Sequence, residues 1–278
     1  MEARVRWVGF DMDECIGEVM PLWFPVHHID GTLDWEHFVE SELGLKTHVL
    51  NPVFMVVLES IYARYTNKEI EGAFIFSNNG SQELVETLVK VGNIIVQQLY
   101  DLDAPPPMFK VGFSAASPCR AGFVDRKYEK SFEIIQHCLG ASGLRPCSSV
   151  EDLLFFDDQV HVLKGELGSH YCQVKPYKSI SPTQIILSTL MNYEKFYYEL
   201  DEISTTFTKM MNYEQKLVRM GHPTTLPPEG EILKEYIHWM SHVDPFFPAK
   251  GGRRKDKTER RKRRQVRAKW LRKKTRRG

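Results

Sequence analysis

The sequence predicts an α/β protein built on a doubly wound parallel sheet, and three observations predict it. Apolar runs of four to six residues are continuous rather than alternating, which suits strands buried on both faces of a parallel sheet. Stretches with helical spacing lie between these runs. Several runs stop at carboxylates or a hydroxyl, and a parallel sheet gathers such strand ends at one edge, where open α/β sheets bind their ligands.

The elements follow in order. Residues 4–10 read as the first strand, which stops at Asp11-Met12-Asp13-Glu14-Cys15-Ile16-Gly17. A helical stretch over about 34–66 is longer than a simple crossover needs and is expected to insert a small cap or lid near the strand ends. Residues 73–76 form a second strand that closes on Ser77-Asn78-Asn79-Gly80-Ser81. Leu84, Val85, Leu88, Val91, Ile94 and Ile95 then recur at helical spacing over 82–99. After Pro105-Pro106-Pro107, residues 108–113 are a third strand. Residues 130–139 return to helical spacing with Phe132, Ile135 and Cys138. The fourth strand, 153–156, closes on Asp157-Asp158, and the fifth, 171–174, is reached from a turn around Gly168. An aromatic-faced helical region over 182–220, a Pro-rich break and a short helix over 229–240 complete the folded part. The predicted layout is a core over 1–180, a helical extension over 181–247 and a basic tail over 248–278.

Composition narrows the class. Hydrophobic residues make up 42% and aromatics 12%, enough for a packed core. Five cysteines show no CxxC pair and no regular spacing, so neither a disulfide framework nor a zinc site is expected, and a reducing intracellular setting fits. The start, Met-Glu-Ala-Arg-Val-Arg, has no secretory apolar region, and no apolar run reaches the length of a membrane span, so no membrane partner is expected. The net charge of +1 conceals an asymmetry: residues 251–278 hold 16 of the 37 Lys+Arg and 2 of the 36 Asp+Glu, a net +14, which leaves the body at −13.

The strand ends carry the chemistry. Asp11 and Asp13 repel each other unless a cation or a shared proton intervenes, which points to Mg²⁺, a carboxylate nucleophile and phosphoryl transfer. Sheet topology would bring Ser77, Asp157 and Asp158 to the same edge, with a basic segment, Arg126-Lys127-Tyr128-Glu129-Lys130, at the head of a helix beside them.

With these four motifs in order, the sequence resembles the haloacid dehalogenase-like (HAD) superfamily of phosphohydrolases over roughly residues 4–180. The motifs are Phe10-Asp11-Met12-Asp13, Ile75-Phe76-Ser77, a helix-leading lysine and Phe155-Phe156-Asp157-Asp158. The resemblance implies that Asp11 is a nucleophile forming an aspartyl-phosphate and that Asp13 acts as general acid, then general base. It implies that Ser77 donates to a phosphoryl oxygen with the backbone N–H groups of Asn78 and Asn79, and that a lysine neutralises the charge between phosphate and nucleophile. Lys127 keeps the usual interval to the helix end and is the favoured lysine, with Lys130 one turn later as the alternative. Mg²⁺ would take Asp11, the main-chain carbonyl of Asp13, and Asp157, with Asp158 direct or through water. Within the superfamily, Asp-Met-Asp-Glu is similar to the Asp-Leu-Asp-Glu-Thr box of the NLI-interacting-factor-like phosphatases, which act on the C-terminal domain of RNA polymerase. Cys15 stands where that group has Thr, and Ser77-Asn78-Asn79 replaces its Thr-Ala-Ser.

The expected function is a Mg²⁺-dependent phosphomonoesterase acting on phosphoproteins. Two alternatives stay open: a phosphatase of nucleic-acid ends recruited by the basic tail, and a binding module that keeps the fold without catalysis. The tail over 253–277 reads as a nuclear import signal for an import receptor around Arg260-Arg261-Lys262-Arg263-Arg264, as a nucleic-acid arm with Trp270 available to stack, or as a solubilising segment disordered in isolation.

Overall fold

The computed structural model describes residues 4–19, 49–100, 106–126, 128–178 and 228–247. The expected helices over 34–48 and 182–220, Lys127 and the basic tail lie outside the described residues. The protein is α/β, with a five-stranded sheet in the order β3-β2-β1-β4-β5. The strands are β1 (Trp7–Phe10), β2 (Gly72–Phe76), β3 (Phe109–Phe113), β4 (Leu153–Asp157) and β5 (Tyr171–Gln173). Every pairing is parallel, with Phe10 in register with Ile75 of β2 and with Phe156 of β4.

The crossover from β1 to β2 contains α1 (Pro52–Thr66), and α2 (Gln82–Tyr100) joins β2 to β3. The chain then returns across the sheet through α3 (Phe132–Ala141) to β4, and α4 (Val162–Leu167) leads to β5. The C-terminal helix α5 (Glu229–Phe246) runs six residues past the expected end at Met240. Helix α4 was not foreseen: its six residues are too few for a periodic signal.

Alternate strand residues serve opposite faces. Trp7, Phe74, Phe76, Phe113, Phe155 and Tyr171 pack in one core with Ile134, Ile135 and Leu139 of α3 and Leu163 of α4. On the other parity, Phe10 stacks on Phe156 at 5.0 Å and meets Phe54 of α1 edge-on at 5.2 Å. Phe156 in turn stacks on Trp239 of α5 at 4.9 Å, and the Trp239 indole N–H donates to Glu235. Burying a large apolar side chain contributes about 1.5–3 kcal/mol, so these aromatic columns are a main source of stability. Gly9 is dictated by the first core: a Cβ there would lie 2.4 Å from the Phe155 ring and 2.7 Å from that of Phe74.

Two expectations change at this level. Residues 52–66 were expected within an inserted cap, but Pro52–Thr66 is the crossover helix itself, with Val53, Phe54, Val57, Leu58 and Ile61 buried. Its apolar run, Val53-Phe54-Met55-Val56-Val57-Leu58, needs more cover than a lid would receive. The cysteines also differ: Cys119 and Cys138 form a disulfide, while Cys15, Cys147 and Cys172 are free and buried. Cys138 lies on the buried side of α3 and Cys119 in a turn docked against it, so tertiary packing makes the pair without any spacing signature.

Candidate functional site at the carboxyl edge of the sheet

β1 and β4 are neighbours, yet the chain continues from β1 toward one side of the sheet and from β4 toward the other. Such a reversal opens a crevice beyond the strand ends. Asp11 follows β1 and Asp157 ends β4, so the reversal sets both carboxylates side by side. The Asp11 N–H donates to the Phe156 carbonyl at 2.8 Å, which extends the ladder by one residue and fixes the backbone of Asp11.

The loop after β1 is held tightly. Glu14 adopts a left-handed φ of 59°, its N–H donates to the Gly17 carbonyl, and the Ile16 N–H returns to Met12. A non-glycine residue there costs free energy that the surrounding bonds must offset. The side chain of Asn51 caps α1 by accepting from the Val53 N–H and donates to the Cys15 carbonyl, so one residue joins helix and loop. The Cys15 thiol is buried against the Phe156 carbonyl at 3.5 Å. Burial, then the charges of Asp11, Asp157 and Asp158, push that thiol well above its ordinary value, so Cys15 packs rather than reacts.

One ammonium lies among the carboxylates. Lys130 Nζ is 2.6 Å from Asp11 Oδ1 and 2.9 Å from Asp157 Oδ2, and the residue is 1% exposed. Burial alone pulls the ammonium down, but Asp11 and Asp157 outweigh it and the net displacement is upward. Of the two candidate lysines, Lys130, the alternative, is the one that the described residues bring to the carboxylates, and the favoured Lys127 lies outside them. Lys130 enters the site because it directly precedes Ser131, the N-cap of α3, and its carbonyl accepts from the Leu163 N–H of α4, which fixes its backbone over the strand ends.

The remaining carboxylates are under-neutralised. Burial, then Asp11, push Asp13 up to about 6, so its acid and base forms are both accessible near neutrality. Burial and the neighbouring Asp11 also raise Asp157 and Asp158. Asp13 Oδ1 and Asp158 Oδ1 are buried with no hydrogen-bond partner among the described residues. Asp11, Asp157 and Asp158 offer oxygens that all lie within 4.8 Å of one another. Hard oxygen donors at that spacing, with a buried carboxylate oxygen left over, fit a divalent cation of the Mg²⁺ kind.

β2 delivers the phosphate-binding candidates to the same edge. Ser77 is buried, and its Oγ accepts from the Asn79 N–H at 3.0 Å, which leaves the hydroxyl proton as a donor. The Asn79 amide Nδ2 reaches Asp13 Oδ2 at 3.4 Å and links the second strand end to the first. The Asn79 N–H, expected to serve a ligand, is directed to Ser77 by this short side-chain turn.

Two residues escaped sequence reasoning. Arg120 is 1% exposed, and its guanidinium donates to the Ser77 carbonyl at 2.9 Å, to Asn78 Oδ1 at 3.0 Å and to the Glu129 carbonyl at 3.2 Å. It lies 4.5 Å over the Phe76 ring, and the neighbouring Cys119–Cys138 disulfide anchors its turn to α3. The Asn78 side chain is thereby turned to Arg120. His161 sits beside Asp157 at 3.7 Å, and burial lowers its imidazole below the ordinary value. An arginine in the Pro118-Cys119-Arg120 turn is the one weak local signal; His161 has only its interval of four from Asp157.

The arrangement places a paired nucleophile candidate, a carboxyl able to exchange a proton, a hydroxyl donor and a cation-binding set at one sheet edge. No protein-family model, curated protein or solved structure matches the chain.

Proposed function

We propose that the protein is a Mg²⁺-dependent phosphomonoesterase of the haloacid dehalogenase-like type, on a doubly wound sheet, working through an aspartyl-phosphate. The observation that carries this reading is the buried Lys130 ammonium bridging Asp11 and Asp157, with unpartnered oxygens of Asp13 and Asp158 beside it. A purely structural ion pair needs one carboxylate; here two carboxylates share one ammonium and Asp13 and Asp158 lie close by, so the cluster keeps net negative charge that a cation would balance.

In this reading an Asp11 oxygen attacks phosphorus in line, and the bond to the leaving oxygen breaks. Asp13 gives that oxygen its proton, then takes one from the water that attacks the aspartyl-phosphate, releasing inorganic phosphate and restoring Asp11. Ser77 donates to a phosphoryl oxygen, and Lys130 holds Asp11 in place while offsetting the charge gathered there. Asp11, Asp157, Asp158 and the Asp13 carbonyl would hold Mg²⁺, which lets an anionic nucleophile approach an anionic phosphate.

The test is hydrolysis of a generic aryl phosphate with and without Mg²⁺. Wild-type turnover should require the metal and vanish in Asp11→Asn. Metal-independent activity that survives Asp11→Asn would overturn the reading, and failure of wild-type protein to form an acyl-phosphate or a beryllofluoride adduct would favour a non-catalytic binding module.

The net +14 of residues 251–278 favours a second reading of the substrate, a nucleic-acid end in place of a phosphoprotein, and a nuclear setting suits either. Phosphopeptides and oligonucleotide 3′- and 5′-phosphates, compared with the tail present and deleted, discriminate the two. Oligonucleotide turnover that is unchanged by deletion at low salt would remove the tail from substrate recruitment.

A further inference from the structure

Away from the carboxylates, three donor groups from distant parts of the sequence meet beside the edge strand. Cys172 lies in β5 and is fully buried, while His238 and His242 stand one turn apart on α5, on the same helix face. The ligand atoms of all three lie within 4.8 Å of one another, and Cys172 Sγ is 3.9 Å from His238 Nε2. With Zn–S of about 2.3 Å and Zn–N of about 2.0–2.1 Å, a tetrahedral zinc site has ligand separations of roughly 3.3–3.7 Å. The observed set is therefore within roughly 1.5 Å of closing on an ion, and its Cys172–His238 pair at 3.9 Å is already nearly there.

The surroundings of His242 are those of a metal ligand. Its Nδ1 lies 2.8 Å from the Ser169 carbonyl, so that nitrogen carries the proton, and Nε2 presents its lone pair. Such a carbonyl contact orients a ligating imidazole and fixes its tautomer. His238 Nε2 is 2.8 Å from the Gln173 carbonyl, and the two imidazoles are 5.2 Å apart. One sulfur and two imidazole nitrogens form a borderline-soft set that selects Zn²⁺ over the Mg²⁺ suited to the carboxylates.

We propose that Cys172, His238 and His242 form a second metal site that takes Zn²⁺, with a solvent molecule as fourth ligand, and that the ion clamps α5 to β5. On binding, the Cys172 thiol releases its proton to solvent; the His238 proton moves through solvent from Nε2 to Nδ1, and the imidazole gives up its hydrogen bond to the Gln173 carbonyl and turns its Nε2 lone pair to the ion. The site stands apart from the phosphatase reading and does not depend on it.

The experiment uses the full chain, freed of metal by a chelator and titrated with Co²⁺ in excess Mg²⁺, followed by Zn²⁺ competition. Wild type should bind one Co²⁺ per chain with a thiolate-to-cobalt charge-transfer band and tetrahedral ligand-field bands, both erased by Zn²⁺. Zn²⁺ should also raise the melting temperature. His242→Ala, a change on a partly exposed helix position, should weaken binding at least tenfold while melting like wild type in chelator. Cys172→Ser should lose the charge-transfer band, and Asp11→Asn should bind Co²⁺ as wild type does while lacking phosphatase activity. The proposal is overturned if wild type shows no charge-transfer band, if the band survives Cys172→Ser, or if His242→Ala binds as tightly as wild type.

Discussion

Replacing Lys130 by Met removes one ammonium and leaves two buried carboxylates facing each other. The lost contacts are the 2.6 Å pair with Asp11 and the 2.9 Å pair with Asp157, both partners being almost wholly shielded from water. Methionine nearly matches the lysine stem in length, so the packing loss is small and the change is chiefly electrostatic. Breaking a buried pair by removing one partner costs about 3–5 kcal/mol, because the remaining charge is uncompensated. At about 2–4 °C per kcal/mol for a domain of this size, the melting temperature should fall by roughly 6–20 °C. The assay is thermal unfolding in chelator at pH 8 and pH 5, where the deficit should shrink at the lower pH as the carboxylates take up protons. Adding Asp157→Asn to Lys130→Met should return part of the loss by removing one unpaired charge. Aryl-phosphate turnover should fall at least about a hundredfold, as expected for loss of a preorganised charge at a phosphoryl site. Lys127→Met should keep most activity. A Lys130→Met protein that melts within about 2 °C of wild type, on the scale of ~2–4 °C per kcal/mol, would refute the ion-pair argument. Full activity there, with loss in Lys127→Met, would return the role to Lys127.

Three further outcomes follow from the same geometry. Asp13→Asn should slow turnover by about 10²–10⁴, the usual contribution of a general acid–base group, and with an activated aryl phosphate the phosphoenzyme should accumulate in acid-quench experiments. Asp13 rests near 6 against an unfolded value of 3.8, with Asp157 and Asp158 displaced in the same direction. For carboxyls raised by folding, the native state binds the extra protons, so the contribution of these three groups to metal-free stability should be most favourable below about pH 4 and should decline as pH rises through 6 to 7; a divalent cation should flatten that decline, and a wild-type melting profile in chelator with the same slope over this window as Asp13→Asn combined with Asp158→Asn would contradict the site. Arg120→Lys keeps the charge but loses the planar fork that reaches Ser77, Asn78 and Glu129 together, so unfolding should show a loss of about 2–3 kcal/mol, and kinetics a raised KM through a loosened Ser77.

Much of the framework was legible locally. Strands β2 to β5 fall within one residue of their expected positions; β2 and β4 are apolar runs buried throughout, and the edge strands β3 and β5 are mostly apolar though partly exposed, a signal carried by consecutive residues. β1 is shorter at its start than expected, since Arg4 and Arg6 turn to Asp152. Asp11, Asp13, Ser77, Asp157 and Asp158 were readable for the same reason: each follows or ends an apolar run, and a parallel sheet carries all such ends to one edge.

What tertiary structure alone decided was which charges meet. Lys130 shares its local credentials with Lys127 three residues earlier, and the docking of α3 against α4 is what brings Lys130 to the carboxylates. Arg120 has no periodic signal, because a turn docked on α3 buries it. Cys172 and His238 are 66 residues apart and meet only because α5 crosses the edge strand. Burial patterns repeat along the chain and can be read from neighbours in sequence. Charge and ligand pairing depend on distances of a few ångströms between elements, and strand order and helix docking set those distances. Asp11 and Asp13 announced a charged site in the sequence; its counter-charge, its anchor and its distance from the cysteine–histidine cluster were settled in three dimensions.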